Sequence, residues 1–249
     1  MSDDTQAMRD EILAIVAHDL RTPLNTVKLS VGLAHRHVDS GDKDAAHKRL
    51  DVIVRAADRA CAIINDLLDV TRIQSGKFTL TKTQVSPLHL VHDVVADMMM
   101  VTSIRNVQLY ASDMLELPEL MADGARITQV FTNLIDNALK YSSDGSDICV
   151  AANRENDDIV FSVSDTGHGI TPENVPHLFD RFWQVSNDPT ARKSGGLGLG
   201  LAICKGIIEE HGGKIWADSI PGVGTTISFS IPIAAQTQGP AGPAEGATP

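Results

Sequence analysis

The sequence has no surplus of basic residues: Lys and Arg number 21 against 32 Asp and Glu, a formal charge of -11. Nucleic-acid binders ordinarily show a basic footprint, so no DNA or RNA partner is expected. Cysteine is scarce. Cys61, Cys149 and Cys204 are far apart and odd in number, which suggests neither a disulfide framework nor a metal-ligand spacing and fits a reduced, cytoplasmic compartment. No long apolar run follows the acidic start Met1-Ser2-Asp3-Asp4. Neither a signal peptide nor a membrane span is expected, and any membrane connection would come from other residues or partners.

With 249 residues, 43% of them hydrophobic, the chain has room for two ordinary domains. The first is helical. Apolar residues fall at Leu13, Ala17, Leu20, Leu24, Val27, Val31 and Ala34, in steps of four and three, a helical stripe. The polar break Asp39-Ser40-Gly41-Asp42-Lys43 marks a turn. The next helix carries two stripes: Leu50, Val54, Ala57, Cys61, Ile64, Leu68, and Ile53, Ala56, Ala60, Ile63, Leu67, Val70. One partner helix cannot cover both, so a second copy is expected to complete a four-helix bundle. Gly76 is placed as a C′ cap in Ser75-Gly76-Lys77.

Beyond Gly76 the pattern becomes mixed. Phe78-Thr79-Leu80-Thr81 and Val107 to Tyr110 are predicted short strands, and Leu88 to Met100 and Arg126 to Ser142 helices. The alternating runs Ile159-Phe161-Val163 and Ile227-Phe229-Ile231 predict strands covered on one face. The expected fold is an all-α hairpin over residues 1–76, then a two-layer α/β sandwich over 77–233, one layer of helices over one mixed sheet. Residues 234–249 hold almost nothing to bury and are expected to be a disordered tail.

Four segments carry chemistry. Ala17-His18-Asp19-Leu20-Arg21-Thr22-Pro23-Leu24 puts an imidazole, whose ordinary pKa is about 6.5, beside a carboxylate that can orient it or take its proton. Thr22 lies one turn on, and Pro23 should bend the helix there. His18 falls off the apolar stripe and should face outward. A His-Asp pair on a polar helix face is by itself more often solvated decoration. In the second domain, Asn133 and Asn137 stand at i and i+4, with Lys140 and Tyr141 on the next turn. One helix face thus offers amide oxygens and an ammonium group, enough for a magnesium ion that takes its remaining charge from phosphates. Ser164-Asp165-Thr166-Gly167-His168-Gly169-Ile170 follows a strand with a carboxylate acceptor suited to an exocyclic amine, glycines that allow close approach and an aliphatic cover; a capped glycine turn is the plainer reading. Gly195-Gly196-Leu197-Gly198-Leu199-Gly200-Leu201 runs into a helix, an anion site by its free amides and the helix dipole. It matches neither the P-loop nor the dinucleotide fingerprint.

In that order the four segments resemble the H, N, G1 and G2 boxes of sensor histidine kinases. His177-Leu178-Phe179-Asp180-Arg181-Phe182 is similar to their F box and Gly222 to Phe229 to their closing strand. The resemblance runs over about residues 9–232. It implies a dimerisation and histidine-phosphotransfer domain followed by an ATP-binding domain of the type shared with Hsp90 and gyrase. By this resemblance His18 is the phosphoacceptor, Asp19 its acid/base partner and Thr22 the residue that positions water for dephosphorylation of the partner. Asn137 ligates magnesium, and Asn133, Lys140 and Tyr141 line the nucleotide site. Asp165, Gly167, Gly169 and Ile170 hold adenine, with Thr225 of the closing strand nearby. Gly196, Gly198, Leu199 and Gly200 border the phosphates, and the polar segment 184–194, with Arg192 and Lys193, resembles the mobile ATP lid. Leu197 departs from the small hydroxyl residue common in the family, which removes one side-chain contact to phosphate and keeps the backbone donors.

The expectation is therefore ATP- and Mg2+-dependent phosphorylation of His18 in a homodimer. Transfer to an aspartate of a response-regulator receiver domain follows, with dephosphorylation of that regulator as a further activity and residues 74–77 as the hinge. A phosphatase-dominant protein and a non-catalytic regulator-binding scaffold are the alternatives. The start of the sequence fits either the catalytic part of a longer kinase or a stand-alone kinase signalled by another protein.

Overall fold

A computed structural model describes residues 2–112, 116–184 and 197–233. The tail 234–249 and most of the lid segment lie outside them. Helix α1 (Ser2–Asp39) turns at Ser40–Asp42 into α2 (Lys43–Gln74), with the Asp42 carboxylate capping α2 by accepting from the Ala45 N–H at 3.0 Å. Pro23 sits inside α1, which continues through it as helix on both sides. At the far end of α2, Lys77 N–H reaches the Arg72 carbonyl and Gly76 N–H that of Ile73. That pair of bonds makes Gly76 the C′ residue of a Schellman stop.

The two stripes of α2 part company. Ala56, Ala60, Ile63 and Val70 are buried, while Leu50, Val54, Ile64 and Leu68 stay exposed, Val54 at 59%. On α1, Leu24 and Val31 of the expected stripe are exposed as well, and Ala34 is buried.

The second unit runs β1 (Thr83–Val85), α3 (Pro87–Ile104), β2 (Gln108–Ala111), β3 (Leu120–Ala122), α4 (Gly124–Tyr141), β4 (Asp147–Glu155) and β5 (Asp158–Asp165). After a 3-10 turn at Val175–His177 come α5 (Gly200–Glu210), β6 (Lys214–Ile220) and β7 (Gly224–Pro232). Five strands form one mixed sheet in the order β2-β4-β5-β7-β6, with β2 parallel to β4 and the other pairs antiparallel. β1 pairs with β3 in a separate ribbon. The strand expected at residues 78–81 therefore begins at Thr83. Phe78 is buried as a plug under the Arg126 guanidinium, 4.8 Å from its ring centre, and the Thr81 N–H is taken by the Asp123 carboxylate at 2.9 Å.

α3, α4 and α5 cover one face of the sheet. Alternate residues Ile148, Val150 and Ala152 on β4 and Ile159, Phe161 and Val163 on β5 point into that core. Phe131 of α4 packs edge-on against Phe161 and Phe229 at 5.5 and 5.3 Å, which seats the helix that carries Asn137 over β5 and β7. Among the described residues no helix is long and apolar enough to cross a membrane.

Candidate functional site

A cavity of about 310 Å³ opens between α4, the C-terminal end of β5, the start of β7 and the N-terminus of α5. Asn137, Lys140 and Tyr141 enter from α4, Asp165, Gly169 and Ile170 from β5 and the turn after it, Thr225 from β7, and Gly198, Leu199 and Gly200 from the other side. These are residues that the sequence singled out, brought together by the packing of α4 and α5 on one sheet.

The Asp165 carboxylate accepts from the Gly167 N–H at 2.8 Å. Burial raises its pKa, against the Gly167 and Thr225 N–H groups and nearby His168, which lower it. A half-buried carboxylate that lines the cavity can accept a further donor there. Its loop is held by Ser219, whose hydroxyl accepts from the Ile170 N–H at 2.8 Å, donates to the Gly224 carbonyl at 3.0 Å and lies 2.9 Å from Thr225 Oγ1. Sequence reasoning missed Ser219; its register opposite Thr225 in the β6–β7 pair is the only signal. Gly169 and Gly198 are glycines of necessity: both have φ +67°, a Cβ on Gly169 would run into the Ile220 carbonyl, and one on Gly198 would stand 2.6 Å from that of Trp183. Gly167 lies behind the cavity wall, where its N–H holds Asp165.

Asn133 also stands behind the wall. Its amide reaches the Gly200 carbonyl at 3.4 Å and Cys204 Sγ at 3.7 Å, tying α4 to α5. Burial pushes the Cys204 thiol up to about 12. Leu197 is buried and lines the cavity with Leu199. The ammonium of Lys140 lies 5.0 Å over the Tyr141 ring. Arg192, Lys193 and Gly196 lie outside the described residues. The donor set suits a nucleotide: the half-buried Asp165 carboxylate, apolar walls, a glycine edge at a helix N-terminus and a lysine. Among the described residues no cluster of three or more His, Cys, Asp or Glu forms a metal cage, so a cation here would lean on the neutral amide of Asn137 and on phosphate oxygens.

His18, Asp19 and Thr22 are elsewhere, on α1, and none lines the cavity. The His18 side chain is 76% exposed, as its place off the apolar stripe requires, and its Nδ1 lies 3.0 Å from the Asp19 carboxylate. Asp19 accepts only from an Nδ1–H, which leaves the lone pair on Nε2 pointing to solvent. The Thr22 hydroxyl donates to the His18 carbonyl at 3.3 Å, and the Thr26 hydroxyl to that of Thr22 at 3.1 Å. One further lining group comes from α2: Asp66. It stands three residues after Ile63 and four before Val70 on the buried stripe, and a carboxylate on an apolar stripe is the signal that could have found it.

Residues 8–76 match the His Kinase A (phospho-acceptor) domain, and residues 122–235 match the histidine kinase-, DNA gyrase B-, and HSP90-like ATPase family. The chain is 37% identical over 231 residues to the sensor histidine kinase WalK of Bacillus subtilis (strain 168), covering 90% of this chain and 36% of WalK. It spans 19% to 59% of the length of eight curated relatives that it matches. Among solved structures, the nucleotide-free catalytic domain of histidine kinase ThkA is 28% identical with a TM-score of 0.54, over 62% of this chain and 97% of that domain. ThkA in complex with the response regulator protein TrrA shares the fold at a TM-score of 0.64 and 24% identity, over 93% of this chain and 64% of that one. The chain is a histidine kinase catalytic core, a phospho-acceptor helical hairpin followed by an ATPase-type sandwich.

Proposed function

We propose that this chain is an ATP-dependent protein histidine kinase that phosphorylates His18 and passes the phosphoryl group to an aspartate of a response-regulator receiver domain. The observation that carries the reading is the pairing of an exposed imidazole, oriented by Asp19 at 3.0 Å, with a nucleotide-shaped cavity in the following domain. Nε2 attacks the γ-phosphorus of ATP, so an N–P bond forms and the P–O bond to ADP breaks. Asp19 offsets the positive charge that grows on the ring and receives the Nδ1 proton. Asp165 takes the adenine amine, Ile170 covers the ring, and Gly198 to Gly200 present the backbone amides to the phosphates. Asn137 would give one oxygen to Mg2+, which when bound neutralises charge on the transferring phosphates. Residues 1–76 would form the dimerisation and phosphotransfer domain and 77–233 the ATP-binding domain. A twofold partner would cover the exposed stripe Leu50, Val54, Ile64 and Leu68. Regulator transfer is supported by the kinship with sensor histidine kinases and by the fold neighbour solved with its response regulator protein.

The test is incorporation of label from γ-labelled ATP with Mg2+ into the wild type and His18→Gln. Acid-labile, alkali-stable label that is absent from the variant is expected. ATP binding without label in the wild type would overturn the kinase reading in favour of a phosphatase or a scaffold.

A further inference from the structure

Helix α2 carries a carboxylate into a cavity that otherwise belongs to the sandwich. Asp66 lines it, from the helix against which α5 packs. Its place is set on the turn that follows. The Asp69 carboxylate, 4% exposed, accepts from Arg126 Nη1–H at 2.8 Å and from the Gln129 amide at 3.0 Å. The same guanidinium donates to Gln129 Oε1 at 2.7 Å while it stacks on Phe78. Farther along, Ile73 fills the space over Gly206, where a Cβ would meet its Cδ1 at 2.6 Å. Bonds and packing together leave α2 little freedom to withdraw Asp66 while Asp69 stays paired.

Asp66 lines the same cavity as Gly198, Leu199 and Gly200, and its helix α2 packs on α5. Its field reaches the Cys204 thiol, the group that the Asn133 amide bonds together with the Gly200 carbonyl. Gly198 to Gly200 open the N-terminus of α5, the helix that carries Cys204. Burial first, and then the Asp69 carboxylate, push Asp66 up to about 6, so the group is ionised at pH 8. Among the described residues it makes no ion pair. A partly desolvated negative charge is therefore held in the cavity that Gly198 to Gly200, the donors that would receive phosphate, also line, while Asp165 and Ile170 would take the uncharged adenosine end of a nucleotide.

We propose that Asp66 is a charge gate supplied by the helical hairpin: with α2 seated, it opposes the polyphosphate of a nucleotide and leaves the adenosine end untouched. Full-strength ATP binding then requires α2 to leave the cavity edge, so seating of the hairpin and occupation by ATP compete. This rests on the reading of the cavity as an ATP site. At the effective dielectric of a partly buried site, a unit charge several ångströms from the phosphates weakens ATP on the order of tenfold.

The experiment is calorimetric titration of the full chain at pH 8 in excess Mg2+ with ATP and, separately, adenosine, for the wild type, Asp66→Asn and Asp69→Asn. Asp66→Asn should tighten ATP about tenfold with adenosine unchanged. Asp69→Asn, which keeps Asp66 and loosens the helix that carries it, should tighten ATP in the same direction. Weaker ATP binding in Asp66→Asn would make the group a contributor to the magnesium nucleotide and overturn the gate. Equal shifts for both ligands would reduce Asp66 to packing and overturn it as well, as would no change in ATP affinity. Failure of all three proteins to bind ATP or adenosine would overturn the ATP-site reading itself, and the gate with it.

Discussion

His18 is presented by one helix, through contacts to the next residue and to a threonine one turn away, whereas the nucleotide cavity takes its walls from α2, α4, β5, β7 and α5. The first arrangement exists wherever α1 is helical. The second exists only when α4 and α5 are seated on the sheet and α2 on α5. The nucleophile should thus survive damage to the sandwich, and the cavity should respond to changes that never touch a ligand.

Gly169→Ala should open the widest gap between the two sites. The added Cβ has a backbone carbonyl, that of Ile220, in its path and a positive φ to adopt, a cost of about 3 kcal/mol that the adenine-side turn meets by moving. ATP-dependent labelling should fall to background. Chemical phosphorylation of His18 by phosphoramidate should persist at the wild-type rate, and its loss would show that the two sites are coupled through the fold. A smaller effect is expected of Asp69→Ala, which leaves the Arg126 guanidinium with only Gln129 and Phe78. Losing one partner of a buried pair is strongly destabilising, but the Arg126 side chain is 26% exposed and water relieves part of the loss. A drop of about 2 kcal/mol in urea denaturation is expected; an unchanged midpoint would mean that the bond between α2 and α4 contributes nothing to the seam.

What could be read from the sequence follows the same division. The outward position of His18 and the two stripes of α2 are properties of helical period, and the structure exposes one stripe and buries the other. Asn137, Asp165 and Gly198, each marked by a short local segment, do line the cavity. Phe78 misled: next to Leu80 it reads as alternation, yet its burial comes from Arg126, which no local pattern announces. Asp66 carries a local mark, a carboxylate on the buried stripe, but what it and Ser219 meet is set elsewhere in the chain. Each gains its role from an element far along the chain, α5 for one and the turn after β5 for the other.

The smallest effect concerns His211, a long-range link that the labelling assay does not read. It caps α5 and stands 6% exposed, with Nδ1–H donating to the Ile207 carbonyl at 2.8 Å and Nε2 accepting from the Asp123 N–H, at the head of α4, at 3.0 Å. Only the neutral ring can do both. Burial lowers its pKa; the Ile207 carbonyl and Asp123 oppose the shift, and Lys82 adds to it. A histidine whose folded pKa is lowered contributes stability that is complete above its unfolded pKa of about 6.5 and is lost as pH falls toward the folded value. Between pH 7.5 and 5 the wild type should therefore lose about 1 kcal/mol relative to His211→Gln, the worth of the bond from Asp123 that protonation breaks. Asp66 acts with the opposite sign, since a carboxyl raised to about 6 favours the folded state below about pH 4 and loses that contribution as pH rises through 6. Both proteins keep Asp66, so its contribution cancels in the difference. A difference in urea stability that stays constant with pH would mean that the bond from Asp123 to His211 does not depend on a neutral ring, and that the junction of α5 and α4 is held by packing alone.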